Sequence, residues 1–340
     1  MSKVTPAISV VMSVYNSEKY LAEAIESILN QSFTDFEFII INDGSTDSSI
    51  AIIESYMAKD EHIVLISREN KGLPASLNEG IAIARGKYIA RMDADDISLS
   101  ERFQKQFEFM EANPEVGVCG GWAYLFKETP SKNKTMRHPR DHEELIVRLL
   151  FSVCFIHPTV MMRKEVLDEL EYVYNIRFTN AQDYELWSRL ADKSQFHNIQ
   201  QPLLYYRVSE SGITASVNND GLNRRYPLVS QVQKQQLAKL GLKLLDEESI
   251  MHFRLGLNAE MIFLDESADS IKDYLKKIIM SNRMKGVFSQ QKLYDFLSRK
   301  YFVFIILSFK RDKKFKHLKI FDLMFLRGAL QIVKERLGLV

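Results

Sequence analysis

Two rhythms of apolar and polar positions alternate over the first third of the chain. Predominantly apolar runs at Ile8–Val14, 36–41, 63–66 and 87–92 read as short strands buried on both faces. Between them Leu21, Ile25, Ile28 and Leu29, then Ile50, Ile53 and Met57, then Leu77, Ile81 and Ala84 keep helical spacing, the mark of helices with one buried face. Strand–helix alternation with short connections predicts an α/β fold: a mostly parallel sheet with helices on both faces. Such sheets bind ligands beyond the carboxyl ends of their strands. Tyr15-Asn16, Asp43 and the acidic cluster 93–96 all fall there.

The fourth strand ends in Arg91-Met92-Asp93-Ala94-Asp95-Asp96. In an extended chain, side chains two apart project to the same face, so Asp93 and Asp95 point together. Carboxylates that close repel unless a cation or a proton relieves them. All-oxygen ligands beside a phosphate-bearing substrate suit Mg²⁺ or Mn²⁺. An isolated Asp-x-Asp is also an ordinary solvated turn, and it is the position at a strand end that favours the metal. Just beyond, Ser98-Leu99-Ser100-Glu101 matches a capping box, with Phe103, Phe107 and Met110 as the buried stripe of the helix it would start.

Residues 218–340 carry a different pattern. Leu237, Leu240 and Leu244, and later Leu293, Phe296 and Leu297, keep helical spacing, which predicts a helical region (218–340) appended to an α/β domain (1–217). The apolar block 301–309 is followed by Lys310, Arg311, Lys313, Lys314, Lys316 and Lys319 and by an amphipathic stretch, 320–333. That combination reads as an interfacial anchor on an anionic bilayer. The competing reading is a helical hairpin packed on the catalytic domain, with its lysines merely solvated. No run approaches the ~18 apolar residues of a membrane span, and no basic-then-apolar leader precedes the first strand, so a cytoplasmic protein held at the inner leaflet is expected. A net charge of +1 argues against a dedicated nucleic-acid binder. Cys119 and Cys154 sit in apolar surroundings and read as core thiols.

Five segments together resemble the family 2 glycosyltransferases, inverting enzymes with a GT-A fold. They are Ile8-Ser-Val-Val-Met-Ser-Val-Tyr15-Asn16, Ser27-Ile-Leu-Asn-Gln-Ser-Phe33, Asn42-Asp43-Gly-Ser-Thr-Asp47, Gly86-Lys-Tyr-Ile-Ala-Arg-Met-Asp-Ala-Asp-Asp96 and Gln182-Asp183-Tyr-Glu-Leu-Trp187. They span roughly residues 8–210 in the order the family uses. A dinucleotide-dependent dehydrogenase is excluded, because Tyr15-Asn16-Ser17-Glu18 lacks the glycines its phosphate turn requires.

The resemblance implies a UDP-sugar donor, an oligosaccharide or lipid-linked acceptor, and Mn²⁺ or Mg²⁺. It implies that Asp43 accepts the uracil N3–H, that Tyr15 stacks on the base, and that Asp95 ligates the metal with Asp93 in support. Asp96 either contacts the sugar or caps the next helix. Asp183 is implied as the general base that takes the acceptor proton. Many relatives carry an acidic residue at Gln182 and an Arg at Leu77; the task of that Arg falls to Arg207 or Lys71. Arg207 precedes a loop, 209–216, that can close over the donor. His157, in Phe155-Ile-His-Pro-Thr159, matches a position that can line the site, as an acceptor contact or a metal ligand. Among such enzymes the chain resembles bacterial β-1,3-N-acetylglucosaminyltransferases of surface-oligosaccharide assembly. Glucosyl- and galactosyltransferases of capsule or O-antigen synthesis look much the same, and a non-catalytic nucleotide-sugar binder is disfavoured by the presence of Asp183.

Overall fold

A computed structural model describes residues 5–208, 219–257, 266–312 and 322–336. The loop 209–216 and the lysine-rich run 313–319 lie outside the described residues. The chain divides into two compact units, Met1–Arg140 with Phe155–Leu222, and Asp141–Cys154 with Asn223–Val340.

The first unit opens as the apolar rhythm predicts: β1 (Ile8–Val14), α1 (Leu21–Leu29), β2 (Phe36–Asp43), α2 (Ser49–Met57), β3 (Ile63–Arg68), α3 (Leu73–Ile83) and β4 (Tyr88–Asp93). Strands β1 to β4 are parallel, in the order β3-β2-β1-β4, with Ile8 opposite both Phe36 and Tyr88. Every residue of β2 is buried, as expected for a strand covered on both faces. The chain continues through β5 (Ile97–Ser98), α4 (Arg102–Ala112), β6 (Val116–Phe126) and β7 (Lys134–Met136). After an excursion containing α5 (His142–Arg148) it returns as a 3₁₀ turn (His157–Thr159), β8 (Met161–Arg163), α6 (Lys164–Asp168), α7 (Gln182–Leu190) and β9 (Gln195–Arg207). Strand β8 joins β4 antiparallel and leads the sheet on to β6, β9 and β5. The sheet is therefore mixed, parallel through β1–β4 and between β6 and β9, with antiparallel pairings at β5, β7 and β8.

The expected capping box does not form. Ser98 is drawn into β5, paired with Leu204 of β9, and α4 begins at Arg102 with no side-chain cap from Glu101. Gln31 does the capping from 72 residues away: its Oε1 accepts the Phe103 N–H at 3.1 Å, and its Nε2 donates to the Leu99 carbonyl and the Ser98 hydroxyl. Both cysteines are buried free thiols, and burial pushes the Cys119 thiol up to about 12.

The second unit is helical: α8 (Asn219–Lys239), α9 (Asp246–Gly256), α10 (Ala268–Lys285), α11 (Gln290–Asp312) and α12 (Leu323–Arg336). Residues 141–154, assigned to the first domain on sequence, belong to this unit, because Val147, Leu150 and Phe151 are part of its core. The block 301–309 is not apolar surface on all sides. Tyr301, Phe304 and Ile305, spaced as one helix face, are buried in the same core, and Phe302 packs on Phe325 of α12 at 4.9 Å between ring centres. Gly328 lets α12 approach α11, since a Cβ there would lie 2.2 Å from the Ser298 carbonyl oxygen. The outward face of α12 carries Leu323, Leu326, Leu330 and Val333, all exposed. No described helix is long and apolar enough to cross a membrane.

Candidate active site

The strand ends of β1, β2 and β4 form the floor. Beyond β1, Tyr15 is 53% exposed, presenting its ring to whatever lies above the sheet. Asn16 has a positive φ of 48°, and its Oδ1 accepts the Thr46 N–H at 2.8 Å. Glu18 and Asp47 exchange hydrogen bonds with the backbone of each other's loop. The loops after β1 and β2 are thus tied together, which fixes where Tyr15 emerges.

Asp43, at the end of β2, is 2% exposed and heavily engaged. Its Oδ1 accepts from Lys71 N at 2.8 Å and its Oδ2 from Gly72 N at 2.9 Å. Arg68, directly opposite it on β3, forms an ion pair with Oδ1. Arg68 in turn donates to Glu79 at 2.5 Å and to the Ser76 hydroxyl at 3.0 Å, both on α3. The turn that follows needs its glycines. Gly44 sits at φ +76° with no room for a Cβ against Asn70, and Gly72 presents its N–H from φ +86°, backbone that side-chain-bearing residues rarely adopt. Sequence reading identified Asp43 but not its cation; an Arg ending the adjacent strand was the available signal.

The acidic cluster is assembled as the spacing implied. One carboxylate oxygen from each of Asp93, Asp95 and Asp96 lies within 4.8 Å of the others. Arg91, two residues earlier on the same face of β4 and 3% exposed, is ion-paired with Asp93. Burial, then the charge of Asp93, pushes the Asp95 carboxyl up to about 6. Burial and the charges of Asp93 and Asp95 hold Asp96 well above the usual carboxylate range. Asp96 Oδ1 accepts the Arg207 N–H at 2.8 Å, whereas its buried Oδ2 has no hydrogen-bond partner among the described residues. Crowded carboxylates with raised protonation and one orphaned oxygen are the donor set a hard divalent cation fits.

Arg207 has a different task from the one expected. Its Nε donates to the Asp95 carbonyl at 2.7 Å and its Nη1 to the Lys127 carbonyl, while Nη2 pairs with Glu23. Its guanidinium lies 3.9 Å from the Tyr20 ring centre and 4.4 Å from that of Phe126. At 4% exposure it braces the backbone of the acidic loop and has no face left for a nucleotide. His157 stands outside the three-carboxylate group. Its Nε2 and the Tyr174 hydroxyl share a 2.8 Å hydrogen bond. Burial, helped by the Arg91 charge, lowers its pKa well below that of free histidine, so the ring is neutral.

Asp183 is in the first turn of α7, where its Oδ1 accepts its neighbour's N–H from Tyr184 at 2.8 Å. That helix is anchored by Trp187, fully buried, whose ring meets Phe155 edge-on at 5.2 Å and His157 at 6.0 Å. Burial pushes the Tyr174 hydroxyl above the ordinary phenol range.

The sequence model of glycosyl transferase family 2 matches residues 9–171. An uncharacterized glycosyltransferase of Methanocaldococcus jannaschii is 39% identical over 208 residues, 60% of this chain and 71% of the relative. A second, from Haemophilus influenzae, is 31% identical over 288 residues, covering 81% of this chain and 86% of its own length. The Escherichia coli O-antigen biosynthesis glycosyltransferase WbnJ is 34% identical over 211 residues, 61% of this chain and 81% of the relative. Among solved structures, Staphylococcus aureus TarS 1-349 in complex with UDP-GlcNAc superposes with a TM-score of 0.57 at 18% identity, covering 97% of this chain and 92% of that one. The Pyrobaculum calidifontis mannosyltransferase PcManGT, in complex with GDP-Man and Mn2+, gives 0.53 at 14% identity over 98% and 87%. Those two establish the fold. With relatives above 30% identity matched over most of their length, the chain belongs to glycosyltransferase family 2.

Proposed function

We propose that this enzyme transfers a sugar from a UDP-sugar, UDP-GlcNAc being the first choice, to a hydroxyl of a bacterial surface-oligosaccharide acceptor, with inversion and with a divalent metal. The observation that carries the reading is the gathering of Asp93, Asp95 and Asp96 at the end of β4, one oxygen from each within 4.8 Å of the others, in a chain that also carries Asp183 in the first turn of α7. A nucleotide-sugar binder has no use for a carboxylate on the acceptor side. In the reaction, the acceptor oxygen bonds to the anomeric carbon as the bond from that carbon to the diphosphate breaks. The acceptor proton passes to Asp183, and the bonding pair leaves with UDP. Tyr15 offers a stacking face to the base, and the Asp43 loop, locked by Arg68, shapes the base pocket.

Asp95 and Asp93 would hold Mn²⁺ or Mg²⁺, which when bound supplies positive charge against the departing diphosphate. Asp96, with one oxygen already accepting from Arg207 N, is assigned to the sugar side. The Mn2+ in the PcManGT complex and the UDP-GlcNAc in the TarS complex support metal and donor class, and the O-antigen role printed for WbnJ supports the acceptor class. The exposed aliphatic row of α12 supports peripheral contact with the inner leaflet, where a lipid-linked acceptor would lie. The test is a screen of UDP-sugars for hydrolysis without acceptor, run with Mn²⁺, with Mg²⁺ and with excess chelator. Hydrolysis of one donor that stops with chelator is expected. Undiminished turnover in chelator sinks the metal, and inertness toward every UDP-sugar sinks the donor class.

A further inference from the structure

The acceptor side and the nucleotide side of the site are bolted to each other by a segment that sequence motifs pass over, residues 172–174. From α3, Asn78 clamps the backbone of Tyr174 twice: its Nδ2 donates to the Tyr174 carbonyl at 2.8 Å and its Oδ1 accepts the Tyr174 N–H at 2.8 Å. The same helix supplies Ser76 and Glu79 to Arg68, and so to Asp43. From α7, which carries Asp183, Arg189 grips the preceding two carbonyls, those of Tyr172 at 3.1 Å and Val173 at 2.5 Å. Its guanidinium also lies 4.6 Å from the Tyr172 ring centre. The Tyr174 ring is fixed at its far end by the neutral His157. The Asn78 clamp thus comes from the helix that braces Asp43 through Arg68, and the Arg189 grip from the helix that bears Asp183.

We propose that Tyr174, held by Asn78 and His157, is a positioning residue for transfer: it sets the spacing between the Asp183-bearing helix and the Asp43 side of the donor site, to which α3 is tied. The inference rests on the reading of Asp183 as the general base. Its energetic logic is that reactivity depends on placement to a fraction of an ångström, and a 1 Å error costs on the order of 10²-fold in rate. Ground-state donor binding, through the Asp43 and Tyr15 loops and the acidic cluster, does not depend on where α7 holds Asp183.

Tyr174→Phe removes one oxygen and leaves the ring and the Asn78 clamp in place. It should lower kcat by about 10- to 100-fold with donor KM within about twofold, the signature of an interaction needed only in the transition state. His157→Phe should match it, and the double variant should be no worse than either single, since both remove the same bond. His157→Gln, which restores a hydrogen-bonding group, should recover most of the loss. A merely structural role predicts losses that track the melting temperature and no rescue by Gln. Wild-type kcat in Tyr174→Phe, or a loss confined to KM, overturns the proposal even if His157→Phe fails to fold. If the parent chain turns over no UDP-sugar, the functional reading falls and takes this inference with it. If the parent turns over but Tyr174→Phe is unimpaired, only the inference falls.

Discussion

Removing the Arg68 guanidinium would leave the Asp43 carboxylate, 2% exposed, facing two backbone N–H donors and no cation. Breaking a buried ion pair from one side costs about 3–5 kcal/mol, so Arg68→Leu should lower the denaturant midpoint by that equivalent and weaken UDP binding; an unchanged midpoint would show that the pair is idle. At Asp183 the expectation is the reverse split. Asp183→Asn should bind UDP normally yet transfer about 10²–10⁴ times more slowly, and wild-type turnover would place the base elsewhere. Asp95 makes a pH-dependent prediction. Its carboxyl titrates at about 6 in the fold, against about 3.9 in an unfolded chain. The stability it contributes is therefore full below about 4 and lost as pH rises through 6. A divalent cation needs the ionised form, so Mn²⁺ should raise Tm clearly at about pH 7.5 and little at about pH 5. Equal shifts at the two pH values would remove this carboxylate from the metal site. Asp43, Asp95 and Asp183 were all legible in sequence because each sits at a strand or helix end in a recognisable segment. Arg68, Tyr174 and Asn78 were not, because their partners lie up to 96 residues away and no local pattern records such a pairing.

Helix starts show how an element can be read correctly for the wrong reason. The Phe103–Met110 stripe announced α4, and α4 exists, but the Phe103 N–H at its start is met by Gln31, not by Ser98. The hydroxyl of Ser98 accepts from Gln31 instead, since pairing with β9 fixes Ser98 in an extended backbone. Gln31→Ala should then cost about 1–2 kcal/mol, the worth of a lost cap on the buried Phe103 N–H. Ser98→Ala should cost much less, and comparing the two melting curves checks the assignment. The same distinction governs 301–309. Its apolar content was plain in sequence, yet which face it buries depends on α12 crossing at Gly328, a contact that periodicity does not encode.

At the scale of the whole molecule, the proposed bilayer contact falls, among the described residues, on the outward row of α12 and not on the block before it. Leu323, Leu326, Leu330 and Val333 recur at three- and four-residue steps, as the buried face of an interfacial helix would. Residues 310–340 hold nine Lys or Arg against three Asp or Glu, and such charge favours anionic lipid over a second copy of the same basic segment. Full-length protein should float with anionic vesicles, less so at high salt. Leu326→Glu with Leu330→Glu should stay folded but lose flotation, whereas vesicle binding unaffected by both substitutions would assign the contact to another surface. By itself the sequence determined the parallel β1–β4 layer, its helices and the strand-end carboxylates, because those follow from local periodicity and from motifs confined to a few residues. Only the tertiary structure decided that Arg207 braces the acidic loop, that His157 serves Tyr174 and that 141–154 joins the helical core. Those outcomes depend on which buried charges and hydrogen-bonding groups meet across long separations, where desolvation leaves each group needing whatever partner the fold brings within reach.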